Sequence, residues 1–282
     1  MNRIQTNRLH IHYGEHKVIK DITIGIPDKK VTSIIGPNGC GKSTLLKAMT
    51  RIIPHQSGSV IFEGKEIAQE NTKQLAKKMA ILPQTQESAN GLTVGELVSY
   101  GRFPYQSGFG KLNRHDIEVI DWALGVTDTK KYKYLPVDAL SGGQRQRVWI
   151  AMALAQETDI IFLDEPTTYL DMGHQLEVLE LLKELNEKQA CTIIMVLHDL
   201  NQAARFSDHI IALKDGIVVK TGNSDDVMQY DVLRQVFQID AVIGNDPRTN
   251  KPICITYDLV KGDKDHEKEN DAIYPTYVAS AR

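Results

Sequence analysis

Three short stretches of this 282-residue sequence hold residue types suited to phosphate chemistry. Gly36-Pro37-Asn38-Gly39-Cys40-Gly41-Lys42-Ser43-Thr44 fits the pattern G-x4-G-K-[ST]. Its glycines let the backbone curl so that successive N–H groups point at phosphate oxygens. The positive end of a following helix adds to that attraction. Lys42 is placed to reach β- and γ-phosphates, and the Ser43 hydroxyl to ligate Mg2+. Ile160-Ile161-Phe162-Leu163-Asp164-Glu165 reads as an apolar strand ending in two carboxylates, which emerge where open α/β sheets bind ligands. Asp164 is then placed for Mg2+, largely through water, and Glu165 to accept a proton from an attacking water. Leu140-Ser141-Gly142-Gly143-Gln144 is the most specific signal, because five fixed residues recur by chance in roughly 1 of 3000 such chains. A serine and two glycines before a run of helix formers make a second helix N-terminus open to anions. One nucleotide does not need two cradles in one chain, so this second site would serve a nucleotide held by a second copy.

The elements that must position these residues are readable from periodicity. Leu9, Ile11 and Tyr13, then Ile22, Ile24 and Ile26, alternate as half-buried strands do. Val31 to Ile35 is a β-branched run that ends at the first glycine of the loop. Beyond Ser43 the period becomes helical, with Leu45, Leu46, Met49 and Ile52 on one face of a helix ending before Pro54. Ser59 to Phe62, Glu63-Gly64, and Lys65 to Ile67 read as a β-hairpin. Residues from about 88 to 155 read as mainly helical, with a Gly/Pro-rich interruption from Gly101 to Gly110. Ile160 to Leu163 and Thr192 to Leu197 are short β-branched runs, and Leu176, Leu179, Leu182 and Leu185 repeat between them at helical spacing over Gln175 to Gln189. That is a βαβ unit, so part of the sheet is parallel. Residues 261–282 open on the charge-mixed run KGDKDHEKEN and read as a disordered tail. The expected class is α/β: a P-loop NTPase core (RecA-like) with an N-terminal antiparallel β subdomain and an inserted α-helical subdomain.

Composition narrows the function classes. Hydrophobic residues are 41% and charged residues 24%, enough to bury a core. The formal net charge of -3 disfavours a strongly basic nucleic-acid binder. Cys40, Cys191 and Cys254 are too few and too widely spaced for a disulfide framework or a zinc site, as suits a reducing compartment. No apolar run approaches the roughly 18 residues that a spanning helix needs.

In this order and spacing, the P-loop, the Leu-Ser-Gly-Gly-Gln motif and the Asp-Glu strand resemble ATP-binding-cassette ATPases, over roughly residues 5–240. The resemblance implies ATP and Mg2+ and assigns further residues. Tyr13 matches the aromatic that stacks on adenine. Gln84, after Ile81-Leu82-Pro83, matches the glutamine that senses Mg2+ and the γ-phosphate and joins the core to the helical insertion. His198, ending its strand, matches the switch histidine that contacts the γ-phosphate and holds the water and Glu165 in geometry. Asp171 matches the loop that crosses the dimer interface, although Thr167-Thr168-Tyr169 stands where many relatives have a Ser-Ala pair. Ser141, Gly142, Gly143, Gln144 and Asp171 would thus bind ATP in trans. His174 and His209 read as surface residues.

The resemblance implies the ATPase subunit of a membrane transporter, peripheral on the cytoplasmic face, working as a head-to-tail homodimer. With no span of its own, it needs integral-membrane permease subunits, touched by residues 101–110 and the helices around them. A soluble relative in translation or DNA repair would carry two cassettes or a long coiled coil, and a P-loop kinase has no use for residues 140–144. Three stretches resemble the importers of ferric siderophores, with vitamin B12 importers as kin: Leu92-Thr93-Val94 through Gly101-Arg102-Phe103-Pro104-Tyr105, Thr167-Thr168-Tyr169-Leu170-Asp171, and residues 236–252. Zinc and manganese importers share a similar Gly-Arg stretch. Cargo selection would fall to an extracellular binding protein and the permease, with residues 241–260 a C-terminal extension.

Overall fold

Strands with two apolar faces and strands with one separate this chain into different sheets. The computed structural model describes residues 2–84, 89, 91–106 and 111–260. Its first half holds β1 (Asn2–Tyr13), β2 (His16–Pro27), β3 (Val31–Ile35), α1 (Lys42–Met49), β4 (Ser57–Phe62), β5 (Lys65–Glu66), α2 (Thr72–Leu75), β6 (Met79–Leu82), α3 (Val94–Ser99) and α4 (Arg114–Val126). There follow α5 (Gly142–Ala155), β7 (Ile160–Asp164), α6 (Met172–Gln189), β8 (Thr192–Val196), α7 (Leu200–Phe206), β9 (His209–Lys214) and β10 (Ile217–Gly222). The last elements are α8 (Ser224–Val227), α9 (Tyr230–Phe237), β11 (Ile239–Asn245) and β12 (Pro252–Leu259).

The six-stranded sheet runs β10-β9-β3-β8-β7-β6. All its pairings are parallel except that of β10 with β9. Every residue of β3, β7 and β8 is buried, as befits strands covered on both faces. A second, antiparallel sheet runs β2-β1-β4-β5, and there burial alternates. Helix α1 lies between the two sheets, with Leu45, Leu46 and Met49 packed among Ile11, Ile26, Phe162 and Ile194. On the other face of the large sheet, α3 to α7 close a core around Val98, Ala123, Ala151 and Leu182. The architecture is the expected α/β class with the expected antiparallel and helical units.

Several local readings change. Helix α1 stops at Met49, because the Thr50 hydroxyl bonds the Leu46 carbonyl and Arg51 turns left-handed at φ 60°. Ile52 therefore leaves the helix and is 52% exposed. The β4–β5 turn has Glu63 and Gly64 both at positive φ, as a two-residue hairpin loop requires, but Ile67 leaves the strand for a 3-10 turn. The Gly/Pro-rich interruption is itself ordered as a 3-10 helix, Tyr100–Tyr105. There Arg102 is buried, bonding Asp116 Oδ1 at 2.8 Å, Glu157 Oε2 at 3.0 Å and the Ala155 carbonyl at 3.0 Å. Gly101 presses on α5, where a side-chain carbon would meet the Met152 carbonyl at 2.3 Å. Those two residues are internal joints of the helical unit, and within this stretch Phe103, 74% exposed, faces outward. Residues 107–110 and 261–282 lie outside the described residues, so the expected tail does too. The C-terminal extension is the β11–β12 hairpin, which begins at Ile239 and packs on α7 and α9.

Candidate nucleotide site

Three adjacent strands of the large sheet deliver the site. Their order β8-β7-β6 sets the segments after Val196, Asp164 and Leu82 side by side, and β3 beside β8 brings the glycine loop to them. Gly41 caps α1 at φ 105°, close under the Val18 carbonyl, a conformation and an approach open to glycine. Helix α1 has no side-chain N-cap, so its first N–H groups are left for another acceptor.

Lys42 is buried, and its Nζ donates to the Gly36 and Pro37 carbonyls, 3.0 Å each. The Ser43 hydroxyl donates to Asp164 Oδ1 at 2.7 Å. Asp164 Oδ2 is buried and has no hydrogen-bond partner among the described residues. Burial pushes the Asp164 carboxyl above the usual carboxylate range, with the Ser43 bond opposing. An unpartnered buried carboxylate oxygen beside a serine hydroxyl is a hard-oxygen donor pair that fits Mg2+.

Glu165 sits at φ 56°, a left-handed turn that swings its carboxylate back over the loop. Gln84 Nε2 donates to Oε2 at 2.5 Å, and the Thr168 hydroxyl donates to the same oxygen at 3.0 Å. His198 Nε2 lies 2.6 Å from Oε1. With Val18, Asn38, Gly39 and Thr44, these groups line an open cavity of about 400 Å³. Such a constellation can hold a polyphosphate on backbone amides and Lys42, seat a metal on Ser43 and Asp164, and offer Glu165 to a water.

The other expected residues fall elsewhere. Tyr13 stands exposed at the end of β1 and outside the cavity lining, while Val18 on β2 and Tyr169 line the cavity. Cys40 is buried, and burial pushes its thiol up against the opposing pull of Lys42. Ser141 caps α5: its hydroxyl accepts from the Gln144 N–H at 3.3 Å while Gln144 Oε1 accepts from the Ser141 N–H at 3.0 Å. Residues 141–144 and Asp171 do not line the P-loop cavity of the same chain. Asp171 caps α6, accepting the His174 N–H at 2.9 Å.

Both histidines read as surface residues are partly buried. His209 is held on β9, where burial pushes it below the usual histidine range. His174 lies against Gly143 and Asp171. The sequence reading also missed Thr168 as a partner of Glu165, and its place two residues after Pro166 was the available signal. All three cysteines are free, and burial pushes Cys191 up to about 12. No helix among the described residues is long and apolar enough to cross a membrane.

Comparison with known proteins follows the same lines. Residues 19–168 match the family described as ABC transporter. The iron(3+)-hydroxamate import ATP-binding protein FhuC of Bacillus subtilis is 60% identical over 94% of this chain and 98% of its own length. The petrobactin import ATP-binding protein FpuD of Bacillus anthracis is 46% identical over 90% of this chain and 93% of its own. Among solved structures, the dimeric post-hydrolysis state of the ATP-binding cassette MJ0796, bound to ADP and Pi, superposes with a TM-score of 0.69. It is 29% identical and covers 78% of this chain and 98% of its own.

Proposed function

The chain belongs to the ABC transporter family, and on that premise we propose that it is the ATP-hydrolysing subunit of an importer of ferric siderophores. The observation that carries the ATPase reading is the Glu165 carboxylate, gripped by Gln84, Thr168 and His198 beside the Lys42, Ser43 and Asp164 cluster. The importer reading is supported by the relatives' printed roles, hydroxamate and petrobactin import, and by alignment over nearly their whole length.

ATP enters with its phosphates on the amides at the start of α1, and Lys42 leaves its carbonyl partners for phosphate oxygens. Ser43 and Asp164 would hold Mg2+, which would neutralise phosphate charge when bound. Tyr13 reaches the adenine from the β1–β2 turn at the end of the antiparallel sheet. Glu165 accepts the proton of the attacking water, while His198 and Gln84 keep the carboxylate aimed and meet the γ-phosphate. The second anion site, residues 141–144 with Asp171, closes on the nucleotide of a second copy in a C2 dimer. ATP, bound more tightly by the closed dimer than by the separate copies, shifts the pair toward closure, and hydrolysis releases it.

The inserted helical unit exposes Tyr100, Phe103, Leu112, Ile117 and Tyr134, and Leu112, Ile117 and Tyr134 line one surface groove. They are the proposed contact with integral-membrane permease subunits, with the chain peripheral on the cytoplasmic face and an extracellular binding protein reached through the permease.

Glu165→Gln tests the chemistry. Turnover falls by about 10²–10⁴ while ATP binding persists, because only the proton acceptor is lost. Near-normal hydrolysis by the purified variant moves the base elsewhere. For the cargo, a strain lacking this chain loses radiolabelled ferric-siderophore uptake, and Glu165→Gln does not restore it. Loss of zinc, manganese or cobalamin uptake instead reassigns the substrate.

A further inference from the structure

The two glycines of residues 141–144 are glycine for different reasons. A side-chain carbon at Gly142 meets nothing within 4 Å, so that position is open on its outer side. At Gly143 the same carbon falls 2.4 Å from His174 Cδ2 and 2.7 Å from Cγ, well inside contact distance. The His174 ring fills the place where a Gly143 side chain would be. Its Nδ1 is 2.8 Å from each Asp171 carboxylate oxygen, and its backbone N–H donates to Oδ1 at 2.9 Å. Those N–H donors hold the Asp171 carboxyl below the usual carboxylate range. Nδ1 facing a carboxylate is the protonated nitrogen, which fixes the ring's tautomer and its plane. Farther along the same two helices, Arg147 pairs with Glu177.

We propose that His174 is a positioning residue that clamps the interface loop at Asp171 to the second anion site at Gly143 within one subunit, so that both meet the partner's nucleotide as a single rigid piece. The proposal rests on the composite-site reading above. Asp171 and residues 141–144 are joined neither by a strand nor by a hydrogen bond among the described residues. The ring is the contact between them, anchored on one side by a charge-assisted bond and on the other by shape.

The test uses the purified full chain in the Glu165→Gln background, with dimer formation on ATP read by sedimentation and nucleotide affinity read on the monomer. His174→Ala leaves monomer affinity unchanged and raises the ATP concentration for half-dimerisation about tenfold, the scale of one hydrogen bond to a charged group. His174→Asn, whose Nδ2 stands where Nδ1 stood, recovers to within about threefold. In the nucleotide-free chain, Gly143→Ala lowers the melting midpoint by about 4 °C through overpacking. Adding His174→Ala to Gly143→Ala restores that midpoint, because the clashing ring is gone. Native dimerisation by His174→Ala overturns the clamp. So does His174→Asn behaving like alanine, or a double variant that melts as low as Gly143→Ala alone. If Glu165→Gln with native His174 fails to dimerise on ATP, the composite-site reading falls instead, and the melting comparison still decides the Gly143 contact.

Discussion

At the start of α1, Lys42 is buried on the Gly36 and Pro37 carbonyls, Ser43 meets Asp164, and no side chain caps the helix. At the start of α5, Ser141 and Gly142 are exposed, and Ser141 and Gln144 cap the helix reciprocally. The adjacent cation Arg145 is turned onto the Leu140 carbonyl. Both are glycine-rich helix openings suited to anions. The first has a cation, a hydroxyl–carboxylate oxygen pair and the Glu165 carboxylate brought together by its own chain. The second offers backbone and a hydroxyl, with His174 packed against Gly143 and its Nδ1 turned to Asp171. A glycine motif alone therefore does not say which half of a reaction a site performs; the charged groups that the fold brings to it do.

The widest separation between the two should come from paired variants. Lys42→Ala removes the cation that replaces water around the phosphates, and monomer ATP affinity should fall by about 100-fold or more, as loss of a charge-assisted contact in a desolvated site implies. Ser141→Arg should leave that affinity intact and abolish ATP-driven dimerisation, since it puts bulk and charge at the exposed helix start. Equal loss of monomer binding in both, measured by calorimetry, breaks the distinction.

The far end of α5 offers a smaller effect. Arg102 joins the Ala155 carbonyl to Asp116 and Glu157. Burial pushes the Asp116 carboxyl up, but the Asn113 N–H and the Arg102 guanidinium outweigh it and hold the carboxyl below its usual range. Arg102→Ala leaves the buried Asp116 carboxylate with the Asn113 N–H but without its counter-cation, a loss of about 3 kcal/mol in urea unfolding. Dimerisation should weaken while residual P-loop binding in the folded fraction holds. An unchanged unfolding midpoint denies the joint.

The smallest expected effect concerns Asp164. Its folded carboxyl titrates above the unfolded one because of burial. A raised acid favours the fold below the ordinary carboxylate range, and that contribution is lost as pH rises through the folded value. Asp164→Asn should therefore stabilise the nucleotide-free chain at neutral pH and flatten its melting profile just above the ordinary carboxylate range, while Mg2+-dependent turnover falls. A melting profile as steep as the native one contradicts the cause assigned to the shift.

Local chemistry was legible in the sequence wherever it depends on neighbours along the chain. The loop 36–44 needs a strand before it and a helix after it, and both were written in adjacent periodicities. The same holds for the carboxylate pair ending β7 and for the helix start at Ser141, while the reciprocal cap of Ser141 with Gln144 came from the structure. Tertiary structure decided what depends on which strands adjoin. Because β3, β7 and β8 are buried on both faces, no alternation distinguishes their neighbours. The order β3-β8-β7-β6, which sets Gln84, Glu165 and His198 within hydrogen-bond reach, came from packing. Packing likewise decided that Arg102 is an internal joint and that His174 stands against Gly143. Periodic apolar spacing marks which face of an element is buried, but which distant residue a side chain such as Arg102 or His174 meets is set by packing, and short-range spacing does not name it.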